Sequence, residues 1–213
     1  MRAVAEGPAS LREELADTHN VLLLAPAFGS ADAEVCSRLL SFVTPDRADL
    51  LCVTFNQTPD ARLEAWRNAG GPTDPANLGF VVVGERVRSA TMAARAADSP
   101  DGLGPAVASV SSPGDMTGIG IEYGNFVDDW DDARHRLLVC FHTLTTFLQY
   151  AELRDVYRFI HALTGRVRAA GGMAHYHLDP EAHDERTVNT LLGLFDAAVE
   201  PDGAGTWLVR RRR

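Results

Sequence analysis

With 213 residues and a formal net charge of −9, the chain is long enough to bury a full hydrophobic core and too acidic for a general nucleic-acid binder. All 20 basic residues are arginine, and the absence of lysine excludes Schiff-base chemistry, a lysine general base and a lysine that grips phosphate. Cys36, Cys52 and Cys140 form no CxxC pair and read as reduced core thiols, and no apolar run reaches membrane-spanning length. A soluble cytoplasmic protein with no membrane partner is expected. Arginine in place of lysine, beside abundant Asp and Ala, fits a GC-rich, salt-adapted (halophilic) genome, although codon bias alone gives the same composition.

In chain order, a polar helical lead (residues 11–16) precedes the apolar run Asn20 to Pro26. Similar short runs follow at 50–55, 80–83, 106–110, 137–141, 173–178, 197–199 and 206–209, apolar on both faces, as buried strands of a mostly parallel sheet are. Between them helical patterns cover 32–42, 60–68, 117–130, 153–170 and 184–195. The fourth of these carries Leu153, Val156, Tyr157, Ile160, Leu163 and Val167 on one stripe and stops at Gly171-Gly172; the last starts at Asp184. Strand and helix alternate almost throughout, which predicts one α/β domain over residues 1–213. Residues 86–115, rich in Ala, Ser, Pro and Gly, read as a flexible surface excursion. Arg210 to Arg213 read as a solvated basic tail, and the acidic run Asp128 to Asp132 as a solvated face.

In such a sheet, ligands bind at the carboxyl ends of strands. The first strand ends in Ala25-Pro26-Ala27-Phe28-Gly29-Ser30-Ala31-Asp32, the second in Val53-Thr54-Phe55-Asn56-Gln57-Thr58-Pro59, and a later one in Val139-Cys140-Phe141-His142-Thr143-Leu144-Thr145. This order of strand ends resembles a RecA-superfamily domain of the KaiC type, in particular lysine-poor haloarchaeal relatives, over residues 15–210. The resemblance implies a P-loop-type, RecA-like sheet with helices on both faces. It also implies a strand beside that of His142 for the segment carrying His175 and His177. Laid on the family's GxxxxGK[ST] loop, the glycines become Ala25 and Ser30, the lysine Ala31 and the threonine Asp32. The paired catalytic glutamates become Asn56 and Gln57, which cannot accept a proton, and the magnesium-holding aspartate becomes His142. The resemblance therefore implies a pseudo-ATPase with a degenerate nucleotide pocket of Gly29, Ser30, Asn56, Gln57 and His142. No catalytic residue and no cofactor are expected of it.

His175-Tyr176-His177-Leu178-Asp179 and His183 place three imidazoles and a carboxylate within a short span. A cluster of His142, His177, Asp179 and His183 would suit a transition metal and a metal-dependent enzyme, but the spacing matches no zinc signature, and local hydrogen bonding explains the residues as well. Cys140 reads as packing, not as half of a thiol–imidazole dyad, and Trp66, Trp130 and Trp207 read as packing residues. The expected function is a catalytically inactive regulatory or signalling module that binds a protein partner or itself. Two alternatives stand beside it: the metal-dependent enzyme, and a nucleotide sensor that binds without hydrolysis, with Arg86, Arg88 or Arg186 replacing the missing lysine. Nucleic acid is not an expected partner.

Overall fold

A computed structural model describes residues 2–6, 8–26, 30–55, 57–72, 74–84, 105–130, 134–202 and 206–212. Its strands are β1 (Arg2–Glu6), β2 (Asn20–Leu24), β3 (Ala48–Phe55), β4 (Asn77–Val83), β5 (Ala106–Val110), β6 (Arg136–His142), β7 (Met173–Leu178), β8 (Ala197–Pro201) and β9 (Thr206–Arg211). The helices are α1 (Pro8–Glu14), α2 (Ser30–Leu40), α3 (Pro59–Asn68), α4 (Met116–Asp129), α5 (Leu144–Phe147), α6 (Leu153–Ala169) and α7 (Glu185–Leu192).

The strands form one nine-stranded sheet in the order β1-β9-β8-β2-β7-β6-β3-β4-β5. From β8 to β5 all neighbours are parallel, while β9 pairs antiparallel with both β8 and β1. The central strands β2, β3 and β7 are buried at every residue, which explains why their sequences read as continuous apolar runs. On one face Leu11 and Leu15, Val35 and Leu39 of α2 and Trp66 of α3 pack on Leu50, Cys52, Leu138 and Cys140. On the other, Ile119 and Tyr123 of α4, Val156, Ile160 and Val167 of α6 and Leu191 of α7 pack on Leu51, Val53, Val139, Phe141 and Tyr176. Trp66 and Trp207 are buried as packing residues, and Trp66 stacks on Phe80 with ring centroids 6.0 Å apart.

The helix boundaries follow local chemistry. Thr58 accepts from the Ala61 amide ahead of Pro59, Asp115 from Gly118 and Asp184 from Thr187, and Gly171 takes the left-handed conformation (φ 63°) that ends α6. β1 has no counterpart among the expected strands. It is a five-residue edge strand held by its pairing with β9, without an apolar run of its own. Part of the proposed excursion is β5, an edge strand of the same sheet, and residues 86–104 of it lie outside the described residues. The basic end is not a free tail. Arg210 and Arg211 belong to β9, Arg210 donates to Glu200 at 2.6 Å, and Arg212 donates to the Gly193 carbonyl; Arg213 lies outside the described residues. In the acidic run Asp128 pairs with Arg166 at 2.9 Å, and residues 131–133 are outside the description. No helix among the described residues is long and apolar enough to cross a membrane.

Two features of this frame predict measurable effects. Asp196 accepts the backbone amides of His19 and Asn20, both at 3.0 Å, at the entry to β2, and Arg168 at 2.6 Å. Partial burial would raise its carboxyl pKa, but the two amides and Arg168 hold it below the usual range. Asp196→Ala is expected to cost about 1–3 kcal/mol in urea unfolding at neutral pH. A depressed carboxylate stabilises the fold above its unfolded pKa, so this difference should shrink as pH falls below about 4. Gly79 in β4 lies under Phe126 of α4 and under Trp130, which follows that helix: a Cβ there would stand 2.6 Å from Trp130 and 2.7 Å from Phe126. Gly79→Val should therefore lose about 1–3 kcal/mol by overpacking, whereas an unchanged unfolding midpoint would show that α4 yields freely.

Candidate functional site

β2 runs into α2 on one face of the sheet and its neighbour β7 leads to α7 on the other, so the connections diverge at these strand ends. Two periodicities meet there. Residues four apart on a helix are separated by about 6 Å along its axis, and residues two apart on a strand by about 6.6 Å, so α2 can match β6 and β7 rung for rung. Asp32 and Cys36 of α2 thus face the pairs His177 and His175 of β7, and His142 and Cys140 of β6. β6 and β7 are indeed neighbours, and His175 and His177 share one face of β7.

The upper rung is a carboxylate between two imidazoles. His177 Nδ1 lies 2.5 Å from Asp32 Oδ1, and His142 Nε2 lies 3.5 Å from Asp32 Oδ2. Asp32 is 5% exposed, His142 5% and His177 2%, so water contributes little to their solvation. Burial alone would raise the Asp32 carboxyl, but the His177 charge and hydrogen bonds from His142 and His177 hold it far below the ordinary carboxylate range. Burial would lower His177; Asp32, by charge and hydrogen bond, instead raises it to about 9. His142 goes the other way, to about 4, because burial and the cationic neighbours His177 and Arg62 outweigh its hydrogen bond to Asp32. An acceptor-only carboxylate fixes the His177 Nδ1 proton on the Asp32 side and turns Nε2 toward the interior.

The lower rung is made of sulfur and nitrogen. Cys36 Sγ is 3.7 Å from Cys140 Sγ and 3.2 Å from His175 Nε2, and Cys140 Sγ is 3.5 Å from His177 Nε2. Arg62 of α3, 2% exposed, directs Nη2 to Cys36 Sγ at 3.0 Å and Cys140 Sγ at 3.3 Å, with His177 Nε2 at 3.5 Å. Its guanidinium also lies 5.5 Å from the Trp66 ring centroid. Burial raises both thiol pKa values and lowers that of His175. Burial would lower the Arg62 pKa too, but the neighbouring cysteines and Asp32 raise it well above its ordinary value.

The strand ends are stitched together around these rungs. Thr143 Oγ1 donates to the His177 carbonyl at 3.0 Å and caps α5 through the Thr145 amide, while Thr145 Oγ1 accepts from the Asp179 amide at 2.8 Å.

Of the expected pocket, Gly29 and Asn56 lie outside the described residues, Ser30 opens α2, and Gln57 follows β3. His142 ends β6 and faces Asp32. Asp32, which stands at the threonine position of the loop, is paired with both histidines. The expected metal cluster is brought together only in part. His142 and His177 meet, whereas Asp179 accepts the Glu181 amide at 3.0 Å to cap the turn Pro180–Ala182. The chain carries His183 past that turn, and neither residue joins a group of convergent ligand atoms among the described residues. Arg86 and Arg88 lie outside the description, and Arg186 is exposed on α7. Cys36, Cys140 and Arg62 were not legible as site residues. The available signals were Asp-x-x-x-Cys on α2, Cys-x-His on β6 and His-x-His on β7, three spacings that place polar side chains on facing rungs.

Among solved structures, the chain is similar to PH0250 of Pyrococcus horikoshii OT3, with 11% identity, a TM-score of 0.59, and coverage of 94% of this chain and 90% of that one. It is also similar to the uncharacterized protein PH0321 of Pyrococcus horikoshii, solved in complex with an unknown peptide, with 11% identity, a TM-score of 0.59, and coverage of 96% and 89%. At such identity the likeness is one of fold. No curated protein matches the chain. Residues 18–201 match the model of a family of unknown function, DUF7504, and the chain belongs to that family.

Proposed function

We propose that this chain is a RecA/KaiC-like domain whose nucleotide site is filled by its own side chains, and that it serves as a non-hydrolysing regulatory or signalling module for a protein partner or a second copy. The observation that carries this reading is the buried Asp32 carboxylate, shared by His177 and His142 in the first turn of α2. A helix N-terminus beside strand ends attracts phosphate through its unpaired amides and dipole. Here a resident carboxylate, paired with its histidines, already occupies that field.

The other substitutions lead the same way. Ala31 stands where a phosphate-gripping lysine is required, Gln57 where a catalytic glutamate is required, and His142 where magnesium needs an oxygen ligand. The placement of β7 beside β6 agrees with the RecA-like strand order. A domain that keeps its sheet and helices after losing its reaction retains surfaces for docking, which favours a module over an enzyme.

The direct test is exposure of the full chain to millimolar ATP with magnesium. No hydrolysis and no shift in melting temperature are expected. A ligand at 100 times its Kd would add about 2.7 kcal/mol, or roughly 5–11 °C for a domain of this size, and such a shift without turnover would favour a nucleotide sensor. Turnover lost on changing Gln57 or His142 would overturn the proposal. The filled site also predicts a structural role for the carboxylate. Asp32→Ala leaves buried cationic groups without their counter-charge and should cost about 3–5 kcal/mol in urea unfolding. A loss under about 0.5 kcal/mol would mark Asp32 as an ordinary surface-like position.

A further inference from the structure

We propose that the lower rung is a metal centre: Cys36, Cys140, His175 and His177 bind one zinc-type ion tetrahedrally, closed to solvent, beneath the Asp32 pair. The four side chains come from α2, β6 and β7, all are buried, and their ligand atoms lie within 4.8 Å of one another. A tetrahedron built on Zn–S bonds of about 2.3 Å and Zn–N bonds of about 2.0–2.1 Å has S···S edges near 3.8 Å and S···N edges near 3.5 Å. The separations here are 3.7 Å for Cys36–Cys140, 3.5 Å for Cys140–His177 and 3.2 Å for Cys36–His175. These three separations match the tetrahedral edges or fall short of them by no more than about 0.3 Å, so the side chains are already spaced for an ion.

The surroundings complete the site. Asp32 accepts a hydrogen bond from His177 Nδ1 at 2.5 Å, which leaves Nε2 toward the sulfurs; a carboxylate behind a ligating imidazole is the usual outer support of such a metal. Arg62 covers the face formed by Cys36, Cys140 and His177, where its N–H groups suit metal-bound thiolates as acceptors. Charge then balances. Two thiolates cancel a divalent ion, both imidazoles are neutral, and Arg62 and Asp32 cancel each other. Binding displaces the two thiol protons as the ion enters, so affinity falls as pH falls.

Two sulfurs and two imidazoles favour zinc over magnesium or calcium, and four protein ligands leave no open position for substrate. The centre is thus structural, tying α2 to the sheet. It is independent of the nucleotide reading: ATP binding and metal content are separate measurements, and either can fail alone.

The test uses the untagged full chain, purified with a thiol reductant and without chelator. Elemental analysis should find one zinc per chain. Cobalt exchanged into the site should give the visible bands of tetrahedral Co²⁺ and thiolate-to-cobalt charge transfer. C36S and C140S should each lose stoichiometric zinc on dialysis, while D32N should keep one zinc with affinity lowered about 10–100-fold. Should the cysteine variants fail to fold, the cobalt spectrum of the unaltered protein decides the matter. Absence of stoichiometric metal and of cobalt–thiolate bands at saturating Co²⁺ with reduced thiols would overturn the proposal, as would a Cys36–Cys140 disulfide in reductant or full zinc retention by C36S.

Discussion

Asp32 and His177 meet at 2.5 Å inside the protein, and much of the surrounding arrangement depends on that contact. A buried carboxylate and a buried imidazole are each unfavourable alone; together they exchange a proton-sharing hydrogen bond and opposite charge for the water they lose. Because Asp32 lies in the first turn of α2, the contact fixes the rotation of that helix about its axis. The next inward position, Cys36, must then fall opposite His175 and Cys140. The register of a helix on a sheet is here set by polar pairing as much as by Val35 and Leu39 packing beneath it.

The same pairing bears on function. Strand ends and a helix N-terminus make an anion-seeking corner, and in this chain the corner is satisfied from within. Arg62, reaching from α3 over the sulfurs, supplies a fixed positive charge that no ligand has to bring. The resulting network extends from His142 through Asp32 and His177 to Cys140 and Arg62, entirely among buried groups. Such networks favour one arrangement through many mutual contacts, although His142 Nδ1 and Arg62 Nε find no hydrogen-bond partner among the described residues.

The α/β layering was legible because central parallel strands must be apolar on both faces, as Leu50 to Phe55 and Leu137 to Phe141 are. The stripe of α6 and the caps at Asp184 and Gly171 were legible for equally local reasons. β1 was not, since an edge strand needs only a partner's backbone, and Ala3-Val4-Ala5 carries little pattern. At the site, His142 and His177 could be singled out as polar residues ending buried strands. Their partners could not: Asp32 reads as a helix-start acid, Cys36 and Cys140 as core thiols, and Arg62 as one of many helix-surface arginines. What unites them is the matched rise of helix and strand, which acts only once α2 lies on the sheet. Asp179 and His183, close to His177 in sequence, lie past the strand end, so nearness in sequence misled where rung position would have guided.

The account stands or falls on whether Asp32 and His177 act as one unit. A double-mutant cycle of Asp32→Asn and His177→Gln, measured by urea unfolding of chelator-treated protein at neutral pH, isolates their mutual contribution. The account predicts a coupling energy of about 1.5–3 kcal/mol, with the double variant losing much less than the sum of the single losses. Losses that add to within about 0.5 kcal/mol would show that the two side chains stand near each other without depending on each other, and would contradict it.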